Sequence, residues 1–173
     1  DVRDLSRIRS LDTLPKLMRM AASYTARLVN VADLAAPFGL TRQTIDDHVT
    51  LLERIFLVER LPSWHTNQMS RLVKRPKLHL CDTGMACAIL GVDARRLDSD
   101  RTILGAMLET FVLQELRRQS SADQDPVEFY HFRNRDDYEV DIVIEGDGLV
   151  AGVEVKAAST VNESDFKGLR KLQ

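Results

Sequence analysis

Cysteine is scarce, with two in 173 residues. Cys81 and Cys87 lack the close pairing of a zinc ribbon or a redox motif, so they are expected to be reduced, buried packing residues. No apolar run reaches the length that spans a bilayer, and no charged-then-apolar leader opens the chain, so a cytoplasmic protein without a membrane partner is expected. The motif G-x-x-x-x-G-K-[ST] is absent, which excludes ATP binding by the usual phosphate cradle. His48, His65, His79 and His131 are scattered without ligand spacing, and none is expected as a metal ligand or general base.

Neither sign of charge dominates, the net being −2, but the two halves differ. Residues 1–98 carry +4 (15 Lys and Arg against 11 Asp and Glu), and residues 99–173 carry −6 (9 against 15). That asymmetry fits a division between phosphate contact and metal binding. At 44% hydrophobic and 29% charged, the composition suits a globular chain of one domain or two small ones.

Leu14, Leu17, Met18, Ala21 and Ala22 recur at helical spacing, and Asn30 is a candidate N-cap for a helix from Val31 to Phe38. Gly39 supplies a turn, and Thr41 can cap a helix from Arg42 to Phe56 whose apolar face is Ile45, Val49 and Leu52. Arg42, Gln43, Thr44 and Asp47 lie on the opposite face, where the start of a recognition helix reaches base edges. Asp46 and Asp47 oppose tight insertion, because they face phosphates. Leu57–Leu61 and Lys77–Leu80 pair as the strands of a wing, and the connection between them carries Arg71, Lys74 and Arg75. Those cations either track a phosphate backbone or belong to a solvated loop.

Asp82-Thr83-Gly84 has the triplet of an aspartic protease, but the apolar run that follows, stopped by Gly91, makes Asp82 a helix cap. Residues 92–101 are a polar connection between a first domain, 1–91, and a second, 102–173. The second opens with an apolar helix carrying Glu109, followed by strands Val127–Phe132, Tyr138–Ile144 and Leu149–Lys156, with Gly146-Asp147-Gly148 as a hairpin signal. Asn162 can cap a final helix from Glu163. Side chains alternate across a strand, so Glu154 and Lys156 share a face. Two carboxylates and an ammonium on neighbouring strands suit a hard cation: Asp141 and Glu154 would hold Mg²⁺ or Mn²⁺, and Lys156 would orient or activate a water. The same residues suit an ion-pair cluster that holds strands together.

Glu109, Asp141, Glu154 and Lys156, in that order, resemble the PD-(D/E)XK nuclease superfamily. Lys74–Gly84, Gly105–Val112, Phe132–Arg135, Glu139–Asp141 and Val153–Lys156 are similar to the domain of unknown function that follows an AAA-type ATPase module in many bacterial and archaeal proteins. The resemblance implies an α+β or α/β fold, a winged helix-turn-helix followed by a partial restriction-endonuclease-like αβββα core. It also implies nucleic-acid engagement with metal-dependent phosphodiester cleavage, with Glu109 orienting the metal's water shell, and DNA as a partner; the alternative is a non-catalytic module that links the ATPase to a partner protein or to DNA. That fold normally adds a strand after its last helix, so the chain is expected to be a fragment whose ATPase module precedes Asp1. ATP would act only through that domain.

Overall fold

The computed structural model describes residues 14–67, 69, 71, 74–122 and 125–172. Helix α1 (Leu14–Ser23) buries Leu17, Met18, Ala21 and Ala22, the positions its spacing selects. Strand β1 (Arg27–Leu28) leads to α2 (Val31–Ala35) and a 3₁₀ turn (Ala36–Phe38) that stops at Gly39, where φ is 62°. Helix α3 (Arg42–Arg54) starts at Thr41, whose hydroxyl accepts from Thr44 N at 3.2 Å. It ends two residues before the expected Phe56, which turns the chain with φ 58°.

The expected wing strands, β2 (Val58–Leu61) and β3 (Lys77–Leu80), pair antiparallel, with Leu61 opposite Lys77. Strand β1, which no pattern signals in two residues, adds to the other side and makes β3 central. All four residues of β3 are therefore buried, the lysine among them. Asp82 caps α4 (Thr83–Leu90), accepting from Met85 N, and Gly91 closes it. Cys81 and Cys87 are free but only half-buried, a correction to the buried expectation: Cys81 follows the last residue of β3, and Cys87 lies on a partly exposed face of α4.

The polar stretch 92–101 is largely helical. Asp93 caps a short helix α5 (Ala94–Ser99), and Leu97 packs on the first core. Asp100 then caps α6 (Arg101–Ser120). This helix enters both halves: Met107 belongs to the core under β3, and Leu113 packs with Leu61, Phe129 and Ile142 in a second. Strands β4 (Glu128–Arg133), β5 (Glu139–Gly146) and β6 (Leu149–Val153) form an antiparallel sheet in that order. Asp147 and Gly148, both at positive φ, make the tight turn between β5 and β6. A 3₁₀ turn (Glu163–Phe166) and α7 (Lys167–Leu172) close the fold, with α7 against β5 and β6. The chain after β2 also runs beside β4: His131 N donates to Pro62 O at 2.9 Å and Trp64 N to His131 O at 2.6 Å. The result is a mixed α and β fold with two three-stranded sheets stitched together at β2 and α6.

Candidate functional site

The two sheets meet at Lys77. Its position opposite Leu61 turns the side chain out of the first sheet toward the second, where 2% of it is exposed. An ammonium has three hydrogens to donate. All three are used, by Glu109 Oε1 at 2.9 Å, Glu139 Oε1 at 2.9 Å and Asp141 Oδ1 at 3.1 Å. Glu109 comes from α6, and Glu139 and Asp141 come from β5, two residues apart and so on one face.

One cation among three carboxylates leaves negative charge in excess. Burial pushes the Glu109 carboxyl up to about 8, despite the attraction of Lys77, with Asp141 and Glu139 adding to the rise. Glu109 therefore holds the cluster's proton near neutrality. Lys77 moves the opposite way from an ordinary buried lysine: burial works against its charge, but the three carboxylates together raise its pKa above the usual lysine value. Beside it, burial pushes His79 down to about 3, keeping it neutral 3.9 Å from Glu109 Oε1. Its other nitrogen joins a hydroxyl chain, His79 Nδ1 to Thr110 Oγ1 at 3.1 Å and Thr110 to Thr25 at 2.9 Å.

The second oxygen of Asp141 is also engaged. Strand β6 ends at Val153, three residues before the expected Lys156, because Val155 N donates to Asp141 Oδ2 at 2.9 Å and not to a β5 carbonyl. Glu154 and Lys156 still meet, Nζ to Oε1 at 2.8 Å, with Lys156 partly exposed. Burial raises the Glu154 carboxyl, Lys156 opposing, and its second oxygen, Oε2, is buried without a hydrogen-bond partner. Glu109, Asp141, Glu154 and Lys156 thus line one cavity of about 560 Å³. Lys77 and Glu139 line it too, and were missed. Glu139 was legible as the neighbour of Asp141 on the same face, whereas Lys77 was absorbed into the wing strand.

The residues expected to meet nucleic acid are dispersed. Arg42 and Gln43 are exposed at the start of α3, where Gln43 donates to Asp47 at 2.9 Å, and the Thr44 and Thr41 hydroxyls lie 2.8 Å apart. Arg71 faces inward: it grips Glu145 through both terminal nitrogens, donates to Tyr130 OH and His65 O, and stacks over Tyr130 and Trp64. Arg75 is exposed, and Lys74 reaches Arg133 O at 3.5 Å. Among the described residues no helix is long and apolar enough to cross a membrane.

Two family matches divide the chain. The Domain of unknown function (DUF4143) matches residues 104–173 and is commonly associated with the C-terminal regions of AAA-type ATPases. Uncharacterised proteins of Mycobacterium bovis and Mycobacterium tuberculosis are each 31% identical over 148 residues, 86% of this chain. The chain spans 33% of the length of these relatives. No solved structure matches it. The Domain of unknown function (DUF8612) matches residues 1–96, more than half of the sequence, and the chain belongs to that family.

Proposed function

We propose that this region is a non-catalytic coupling module, a winged helix joined to a nuclease-like αβββα core, through which the C-terminal part of an AAA-type ATPase engages a partner. The observation that carries this reading is Lys77, buried from the first sheet into the carboxylates of the second. For Mg²⁺ or Mn²⁺ the residues present do not fit. The ammonium occupies the point where Glu109, Glu139 and Asp141 converge, and Asp141 spends its other oxygen on Val155 N. Such a lysine supplies the positive charge that would otherwise come from a metal, and it ties the two halves into one body.

A second reading, metal-dependent phosphodiester cleavage, is favoured by one feature: the buried, unpartnered Oε2 of Glu154 beside the cavity. The full-length protein separates the two. With Mg²⁺ or Mn²⁺ on duplex, single-stranded and branched DNA, the coupling reading expects no cleavage above that of Asp141→Asn. Metal-dependent cleavage that Asp141→Asn abolishes would establish the nuclease reading in its place.

A further inference from the structure

The cavity at Lys77 repels phosphate, since its lining holds seven Asp and Glu residues against three lysines. A smaller groove of about 250 Å³ has the opposite character. Its lining contains Lys74, Arg75, Arg133 and Arg135 and no carboxylate. Leu28 of β1 and Ser63 after β2 come from the first half, and His131 and Arg133 of β4 from the second, so the groove lies along the seam where the two sheets are stitched.

Its cations differ in availability. Arg133 is held by Asp137 at 2.8 Å and Glu139 at 3.7 Å. Lys74 meets only a backbone carbonyl, at the 3.5 Å limit of a hydrogen bond, and Arg75 and Arg135 are exposed with no acidic partner among the described residues. At the groove's base two polar atoms lack partners, Ser63 Oγ and His131 Nδ1, in residues that are each 1% exposed. Because Arg75 O can only accept, His131 Nε2, 3.0 Å away, must donate. The imidazole is neutral, pushed down to about 4 by burial, so Nδ1 offers a lone pair. A hydroxyl and a bare acceptor thus lie buried without partners beneath a cationic rim. Cations spaced along a groove with no carboxylate among its lining match the regularly repeated anionic oxygens of a sugar-phosphate chain.

We propose that this seam groove binds the phosphodiester backbone of nucleic acid through Lys74, Arg75 and Arg135. The inference rests on the coupling reading, and it names the partner and the surface. It also separates backbone contact from α3, whose Asp46 is paired with Arg60 and whose Asp47 is exposed.

The test is fluorescence anisotropy of the full-length protein with labelled duplex DNA, single-stranded DNA and single-stranded RNA, across a salt series. The variant Lys74→Ala/Arg75→Ala/Arg135→Ala should lose at least about tenfold in affinity and flatten the slope of log K against log salt by about 2–3, similarly for all sequences. Arg42→Ala/Gln43→Ala should leave that slope unchanged. All five side chains are at the surface or partly so, and an unaltered melting temperature confirms that each variant folds. Wild-type binding with an unaltered slope in the triple variant overturns the groove assignment, and no wild-type binding to any of the three probes overturns the choice of partner. Neither outcome touches the cleavage assay, by which the coupling reading stands or falls.

Discussion

Lys77→Met is the most revealing perturbation, because methionine keeps the length and apolar stem while removing the ammonium. Three carboxylates, Glu109, Glu139 and Asp141, then share a largely buried space with no cation. Breaking a buried ion pair by removing one partner costs about 3–5 kcal/mol, because a charge is left uncompensated. In a chain of this size each kcal/mol shifts the melting temperature by about 2–4 °C, so a fall of about 6–20 °C is expected. The pH dependence carries a second signature. Burial already raises the folded pKa of Glu109 above its unfolded value, and loss of Lys77 removes the attraction that opposes the rise, so the stability tied to this carboxyl is fully present at low pH and lost as pH rises. The gap between variant and wild type should therefore widen from pH 5 to pH 8. Thermal and urea unfolding of both proteins across that range provides the assay. A difference within about 0.5 kcal/mol at pH 8, the range of an ordinary surface change, would refute the lysine's role.

Glu109→Gln should leave the protein at least as stable at pH 7, since Glu109, pushed up to about 8, takes up a proton on folding that Gln does not need. The wild type's loss of stability between pH 4.5 and 8 should shrink in that variant, and an unchanged slope in chemical unfolding would contradict the assignment of the proton. Gly168→Ala places a Cβ 1.8 Å from Glu139 O, so α7 must lift from β5 at a cost of about 1–3 kcal/mol, visible as faster amide exchange in α7. His131, neutral in the fold and held near 4 against 6.5, contributes stability that is present above pH 6.5 and lost as pH falls toward 4. Its share of the loss by pH 5 is about 2 kcal/mol, and His131→Asn should remove that part of the acid slope measured by unfolding.

Much of the architecture was legible because it is local. Thr41, Asp82 and Gly91 act as the caps and stops their types suggest, and Gly146-Asp147-Gly148 makes the hairpin turn. The order of Glu109, Asp141, Glu154 and Lys156 also brought four residues to one cavity. The decisive partner was not legible, because Lys77 reaches Asp141 across 64 residues. Nothing within Lys77-Leu78-His79-Leu80 tells a wing strand facing solvent from one buried on both sides, and β1, two residues long, is what closes the open side. The same blindness affected Arg71, whose loop looks solvated in sequence yet carries it onto Glu145 and Tyr130. The strand through Glu154 stopped early for a comparable reason, a side-chain acceptor at Asp141 replacing a backbone one.

Lys77 is the cation of the carboxylate site. Nitrogen-detected NMR of its side-chain ammonium in the full-length protein, with and without Mg²⁺, addresses it most directly. A slowly exchanging ammonium signal should stay protonated above the usual lysine range and should not move when Mg²⁺ is added. An ordinary lysine titration, or loss of the signal on Mg²⁺ addition with the ion taking up Asp141 and Glu154, would contradict it.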